Sequence, residues 1–432
     1  MISDQINHGL NGEPIIPGDK SISHRSIIIP SISNGICEVN NYLKSDDVIN
    51  TINAFKEMGV RIEEKNNKII IYGKGLNSLK KPNKEIYLGN SGTSARLLTG
   101  LLSSQKFNTI LTGDRSLSSR PMNRIVEPLI KMNAKISTNN GSMPIKIHGK
   151  SLSNTLLNIK IPSAQIKSGL ILAALNTEGI TTILEHNITR DHTEIMLEYF
   201  EADISIKKEV NKKIIKISGK KDLKSKNIDV PSDLSSSAFF IVAALINKDS
   251  HIILRNININ STRNGILTAL MKMGANLKFL NNRFANNEEV CDIEVKSSNL
   301  IGCELSSDIS KLMIDEYPVL AIAASFAKSQ SIFKGLGELR VKESDRLELI
   351  NLNLLRCGIN SKITNDDLHI SPNNNYIIKN NIIRTDYDHR IAMAFAVMGT
   401  KIGPLKISEP NCINTSFPTF VNELNKIGGL IS

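Results

Sequence analysis

Six segments of this chain share one construction: a short polar or glycine-bearing opening that runs directly into a nearly continuous apolar stretch. The first is Ser21–Ser31, behind Pro17-Gly18-Asp19-Lys20. Leu88-Gly89-Asn90-Ser91-Gly92 leads into Leu97–Leu102, and Ile161-Pro162-Ser163-Ala164-Gln165 leads into Gly169–Leu175. Val230-Pro231-Ser232-Asp233 leads into Ala238–Leu245, and Ser307 through Asp315 leads into Pro318–Ala324. The last is Asp386-Tyr387-Asp388-His389-Arg390, ahead of Ile391–Met398. A helix that is apolar on every side has to be buried on every side. These six are therefore expected as core helices, shielded by strands and by outer amphipathic helices. Asp46–Met58 is such an outer helix, with Val48, Ile49, Ile52 and Phe55 on one stripe. Between the helices lie short β-like runs, among them Lys68–Tyr72, Lys213–Ile217 and His251–Leu254. A recurrence of roughly 70 residues suggests one α/β unit repeated six times, a longer period than that of ordinary solenoids.

The polar openings carry the chemistry. A helix start presents free backbone N–H groups and a partial positive charge, which together suit an anion. Ser21 or Asp19 is the expected N-cap of the first helix. Lys20 and Arg25 add cations suited to phosphate or carboxylate. If the buried helices run the same way, several N-termini point at one cleft. Two further polar clusters stand outside the six openings. Gly113-Asp114-Arg115 to Arg120-Pro121-Met122 carries two arginines, with Pro121 expected at the first helical position. Gly335 to Leu347 alternates Arg340, Lys342 and Arg346 with Glu338, Glu343 and Asp345. Alone, that segment also reads as a solvated, salt-bridged helix start.

At 432 residues, 41% hydrophobic and 22% charged, the chain fits an ordinary globular protein of two or three domains. The net charge of +11 admits nucleic acid, an anionic membrane surface or anionic small substrates, as well as plain lysine enrichment. Aromatic residues are only 4% and Trp is absent, which argues against a base-stacking platform. The basic residues are dispersed rather than striped, so a nucleic-acid partner is not expected. No apolar run reaches membrane-spanning length, and the N-terminus lacks a basic-then-apolar signal, so neither a membrane partner nor secretion is expected. The five Cys, at 37, 291, 303, 357 and 412, are scattered without a C-x-x-C pair. Free thiols in the cytoplasm are the expectation, with no zinc or disulfide framework.

Taken together, these motifs closely resemble those of the EPSP synthase family, the enolpyruvyl transferases that act on shikimate 3-phosphate. Pro17–Arg25 is similar to the first family signature and Leu88–Thr93 to the second. Arg120-Pro121-Met122, Pro162–Gln165, Arg340–Leu347 and Asp388–Met393 complete the set in the family's order. The resemblance implies an α/β fold of two similar domains, each of three βαβαββ units around buried parallel helices. Residues 1–18 with 231–432 would form one domain and 19–230 the other, with the active site in the interdomain cleft. The activity implied is transfer of the enolpyruvyl group of phosphoenolpyruvate to the 5-hydroxyl of shikimate 3-phosphate, with release of phosphate. This is a step toward chorismate and the aromatic amino acids. No metal or cofactor is implied, and a monomer is expected.

Residue by residue, the resemblance gives Lys20 a place between the two substrates, in proton transfer and phosphate binding. Ser21 and Arg25 are similar to the pair that holds the shikimate carboxylate. Ser163, Ala164 and Gln165 match the segment on the shikimate phosphate, with Arg190 nearby and Gln165 also reaching phosphoenolpyruvate. Asn90, Gly92 and Arg120 match the side facing the phosphate of phosphoenolpyruvate, and Arg346 and Arg390 the clamp on its carboxylate. Asp315 matches the base at the 5-hydroxyl, Glu343 the acid–base carboxylate, and Lys342 a contact to the shikimate phosphate or the transferring group. Bland readings stand beside these: Asp315 as a helix cap, Glu343 as a partner of Arg346, Lys167 as a charge at a helix start, and His389 as a group that orders its neighbours.

Asn411 stands where one branch of the family has Lys, so a cationic contact there is not expected. Asp19 and His24 also depart from the commonest first signature. Gly92 leaves room beside the phosphate, and glyphosate is expected to compete there. The sister transferase acting on UDP-N-acetylglucosamine is the nearest alternative. It typically carries a loop Cys, yet none of the five lies between Cys37 and Cys291. A basic nucleic-acid-binding protein is the alternative from another class.

Overall fold

The apolar runs form the helices Lys20–Ser31, Gly92–Ser103, Ala164–Leu175, Leu234–Ile246, Tyr317–Ser325 and His389–Ile402. Every residue of Leu234–Ile246 is buried, as its all-round apolar pattern requires. Most of these helices open on a side-chain cap. Asp19, Ser91, Ser163, Asp233 and Asp388 each accept a backbone N–H of the first turn. The computed structural model describes residues 1–65, 68–159, 161–210, 212–372 and 377–432.

Three local expectations are corrected. The fifth run is two helices, Ser307–Met313 and Tyr317–Ser325, with Asp315 in the connection. Pro318 stands in the first turn of the second helix, where its missing N–H is not needed. Asp46–Glu57 buries Val48, Thr51, Ile52, Ala54 and Phe55, whereas Ile49 turns outward at 44% exposure. Pro121 does not open a helix. Arg120 is extended ahead of it, as a residue before proline prefers, and the next helix is Asn123–Lys131.

The chain divides into two units by contact. One comprises Met1–Pro17, Pro231–Phe284 and Glu289–Ser432, the other Gly18–Val230 with Ala285–Glu288. Each has its own hydrophobic core. In the unit containing Gly18–Val230, three four-stranded sheets surround the helices. One runs Ile86–Tyr87, Asn108–Thr112, Ser142–His148, Lys135–Asn139. Its first pair is parallel and the rest antiparallel, with helices between the early strands. This is a βαβαββ unit, in which a helix crossover makes the parallel pair. Leu156–Ile159 through Lys212–Ser218 repeat it. The third sheet is completed by Ile228–Asp229, which runs parallel to Asn34–Asn40.

The other unit repeats the pattern with borrowed strands. Asn11–Gly12 lies parallel to His251–Asn258, and Glu304–Leu305 to Ser331–Phe333. Its last sheet has three strands, Ile2–Ser3, Leu405–Ile407 and Ile382–Ile383. Here the hairpin of the expected sixth βαβαββ unit is replaced by the N-terminal strand, antiparallel to Leu405–Ile407, and a bridge from Ser3 to Ile431. No helix among the described residues is long and apolar enough to cross a membrane.

In the unit containing Gly18–Val230, Gly92–Ser103 and Ala164–Leu175 cross at a pair of glycines. A Cβ on Gly100 would stand 1.9 Å from the Gly169 carbonyl oxygen, and one on Gly169 would stand 2.6 Å from that of Arg96. Only residues without a side chain permit this approach, which brings the two polar helix starts side by side.

Candidate active site

Within Gly18–Val230, polar side chains gather at the starts of the buried helices. Asp19 caps the first helix by accepting the Ile22 N–H at 2.8 Å. Lys20 then reaches Asp47 on the neighbouring helix at 2.5 Å. One turn on, Arg25 is 3% exposed. Its Nε donates to Thr193 Oγ1 and its Nη2 to Ser168 Oγ, both at 2.7 Å, and its Nη1 donates to the Ser21 carbonyl at 2.8 Å. Burial pulls the guanidinium down to about 10, against the opposing fields of Glu194 and Glu288 and with help from the charge of Arg190. His24 is fully buried in a hydroxyl cluster, with Nδ1 at 2.8 Å from Thr51 Oγ1 and 3.2 Å from Ser94 Oγ. Burial, then the charges of Lys20 and Arg25, hold its imidazole well below the usual range, hence neutral.

The glycine crossing sets the second part of this group. Gln165 Oε1 accepts from Arg96 Nη1 at 2.6 Å, and Gln165 Nε2 donates to Thr93 Oγ1 at 3.0 Å. Asn90 joins Arg120 through its carbonyl and Asp114 through its amide, the latter at 2.8 Å. A Cβ on Gly92 would stand 2.9 Å from Arg96 Nη1 and 3.0 Å from Arg120 Nη1. Gly92 therefore sits under two guanidinium tips. Ser163 caps its helix, and the Ala164 carbonyl accepts the Ser168 hydroxyl. Lys167 stands at the helix start, as the bland reading has it, but it is not solvated. It is fully buried, 3.0 Å from Glu185 and 2.8 Å from Glu194, and Lys213 pairs with the same Glu194 at 3.1 Å. Burial alone would raise the Glu194 carboxyl, but the two lysines outweigh it and lower it.

In the other unit Arg346 is the centre. It is 1% exposed and touches three carboxylates: Asp388 at 2.8 Å through Nε, Asp315 at 3.2 Å through Nη1 and Glu343 at 2.6 Å through Nη2. Burial opposes the cation, but Asp388, Glu343 and Asp315 together raise its pKa. Lys342 also reaches Asp315 at 3.2 Å. Arg390 donates to the Asp315 carbonyl at 3.0 Å and lies 3.6 Å from buried Glu316. Asp315 does not cap a helix, since Glu316 occupies the N-cap position. Its carboxylate instead joins Arg346 and Lys342. Glu343 is a partner of Arg346, as the bland reading held. His389 Nδ1 lies 3.3 Å from Thr415 Oγ1, an ordering contact. Asn411 is exposed.

The structure thus gathers Lys20, Ser21, Arg25, Asn90, Gly92, Arg120, Ser163, Ala164, Gln165 and Arg190 in one unit, and Asp315, Lys342, Glu343, Arg346 and Arg390 in the other. It adds Asp47, Arg96, Ser168, Thr193 and Asp388, to which sequence reasoning gave no role. Arg96 carries a local signal, because it follows Gly92 by four residues on one helix face. For Asp47, Ser168 and Thr193 the signal lies only in the tertiary pairing.

The sequence-family model described as EPSP synthase (3-phosphoshikimate 1-carboxyvinyltransferase) matches residues 5–424. The 3-phosphoshikimate 1-carboxyvinyltransferase of Ruthia magnifica subsp. Calyptogena magnifica is 43% identical over 423 residues, covering 98% of this chain and 96% of that protein. Its counterpart in Petrotoga mobilis is 42% identical over 425 residues, covering 97% of each. A solved structure of EPSP synthase from Acinetobacter baumannii matches with a TM-score of 0.87 at 42% identity, covering 99% of this chain and 98% of that one.

Proposed function

The chain belongs to the EPSP synthase family, and from that premise we propose that it transfers the enolpyruvyl group of phosphoenolpyruvate to the 5-hydroxyl of shikimate 3-phosphate. Inorganic phosphate is the second product. The observation that carries this reading in the geometry is Arg25. It is a buried cation with no carboxylate in contact among the described residues, and a carboxylate-bearing substrate would supply one.

Both substrates are polyanions, so their approach to one another is opposed by Coulomb repulsion that fixed cations have to offset. On the shikimate 3-phosphate side we assign Ser21 and Arg25 to the carboxylate, and Ser163, Ala164, Gln165, Arg190 and Lys342 to the phosphate. On the phosphoenolpyruvate side we assign Asn90, Gly92, Arg120 and Gln165 to the phosphate and Arg346 and Arg390 to the carboxylate. Lys20 serves both substrates. A proton added to the methylene carbon of phosphoenolpyruvate leaves a cationic centre at the adjacent carbon. The 5-oxygen attacks that centre as its own proton passes to Asp315. The tetrahedral adduct then expels phosphate as a proton leaves the new methyl group. Glu343 gives and retrieves the carbon-bound proton, and Lys20 takes part in the proton transfer.

The test is phosphate release with purified protein and both substrates, each omitted in turn. Release that needs both supports the reading. Release with UDP-N-acetylglucosamine in place of shikimate 3-phosphate would overturn it in favour of the sister activity. Glyphosate should raise the apparent KM for phosphoenolpyruvate, and a rate that stays flat as glyphosate rises would remove that part. The five buried free cysteines suit a reducing compartment, and we further read the protein as a monomer acting in the cytoplasm.

A further inference from the structure

Other buried cations around the Ala164–Leu175 helix are paired with carboxylates: Lys167 with Glu185 and Glu194, Lys213 with Glu194 and Asp191. Arg25 is held by neutral acceptors alone, two hydroxyls and a carbonyl. Both hydroxyl protons are already committed. Thr193 donates to Ser168 Oγ at 2.6 Å, and Ser168 donates to the Ala164 carbonyl at 2.7 Å. Each oxygen is thereby left to act toward Arg25 only as an acceptor. A guanidinium has five N–H groups, of which three are used. One is left on each of Nη1 and Nη2, enough for both oxygens of one carboxylate.

We infer that Thr193 and Ser168 are positioning residues for the substrate carboxylate. They fix the guanidinium of Arg25 through neutral contacts, so that a carboxylate in direct contact with it has to come from the ligand. A carboxylate at residue 193 would fix the same guanidinium but compete with the substrate for it. The acid next in the chain, Glu194, is taken up by Lys167 and Lys213 instead. The relay ends on Ala164, in the helix start assigned to the substrate phosphate, and so ties the holder of the carboxylate to the holder of the phosphate. The inference rests on the reading that Arg25 takes the shikimate carboxylate.

The test uses the full-length enzyme and two ligands, shikimate 3-phosphate and its carboxylate methyl ester, with Kd measured for each. Thr193→Val keeps the side-chain shape and removes the acceptor; Thr193→Ser restores it. Thr193→Val should lose about tenfold in affinity for the acid, the scale of one charge-assisted hydrogen bond, and little for the ester. Its KM for shikimate 3-phosphate should rise in step, while kcat and the KM for phosphoenolpyruvate hold. Thr193→Ser should behave as the parent, and Ser168→Ala should reproduce the Val phenotype. Arg25→Ala separates the two claims. If it leaves the preference for acid over ester unchanged, the reading of Arg25 itself fails. If it abolishes that preference while Thr193→Val and Ser168→Ala leave it intact, with or without a lower Tm, the positioning role is overturned.

Discussion

Arg346 and Asp388 form a buried pair in which one carboxylate does two jobs. Asp388 Oδ2 accepts from Arg346 Nε at 2.8 Å, and Oδ1 accepts the backbone N–H of Arg390 at 2.9 Å, capping the His389–Ile402 helix. One aspartate thus anchors both guanidiniums assigned to the carboxylate of phosphoenolpyruvate, the first by charge and the second through the start of its helix.

Asp388→Asn should therefore weaken both stability and donor binding. Breaking a buried ion pair costs about 3–5 kcal/mol, and Glu343 and Asp315, which still face Arg346, should keep the loss near the lower end. The KM for phosphoenolpyruvate should rise more than that for shikimate 3-phosphate. The pH dependence has a definite sign. Burial pushes the Asp388 carboxyl up, but Arg346 outweighs it and the net lies below the usual range. Its contribution is then complete above the unfolded value of about 4 and is lost as pH falls below it. Urea unfolding midpoints from pH 6 down to pH 3 should fall less steeply in Asp388→Asn than in the parent. Equal slopes would remove Asp388 from the account.

His24 offers a second titration, in a different window. Its folded pKa lies well below 6.5 because it is buried beside Lys20 and Arg25. The unfolded chain then binds a proton at His24 that the folded chain refuses. Stability should fall as pH drops through about 6.5, by up to about 1.4 kcal/mol per pH unit from this group. The His24 ring resonance should not titrate between pH 7.5 and 6 in the folded protein. A midpoint near 6.5 would show that the imidazole is not held neutral.

How much of this was legible beforehand follows from the range of each interaction. The buried helices and their caps are local facts. Asp388 two residues before Arg390, or Ser163 three before Ile166, can be read from the order of residues alone. The positions of Lys20, Arg25, Arg346 and Arg390 were legible for the same reason, as polar groups at helix starts. Their partners were not. Ser168 is 143 residues from Arg25, and no helical or strand period connects them. Lys167 read only as a charge at a helix start, because Glu185 and Glu194 come to it only through the tertiary fold. Ile49 was placed inward because it is apolar, although its angular position on the helix leaves it outside the 48, 52, 55 stripe.

Gly92→Ala tests the space under the two guanidiniums. The new Cβ would stand 2.9 Å from Arg96 Nη1 and 3.0 Å from Arg120 Nη1. Both are the far ends of flexible side chains, and the helix start tolerates alanine. The fold should survive, with Tm nearly unchanged. The displaced tips should raise the KM for phosphoenolpyruvate by about tenfold, equivalent to about 1.4 kcal/mol, with little change for shikimate 3-phosphate. A large fall in Tm with unchanged KM would mean that Gly92 serves packing instead.

Gly100→Ala is the opposite case, because its neighbour cannot yield. A Cβ there would stand 1.9 Å from the Gly169 carbonyl oxygen, so the Gly92–Ser103 and Ala164–Leu175 helices would have to separate. Overpacking of this kind costs about 1–3 kcal/mol when side chains can rearrange, and a backbone clash should exceed that range. Gly274→Ala is the comparison. It meets nothing within 4 Å but sits at φ +82°, so only the left-handed backbone cost of roughly 1–2 kcal/mol applies. Urea unfolding should rank Gly100→Ala well below Gly274→Ala. Activity should separate them further, since parting the two helices breaks the 2.6 Å contact between Arg96 and Gln165 while Gly274 lies in the other unit. If Gly100→Ala instead kept parental stability and activity, the glycine crossing would not be what holds those two helix starts together.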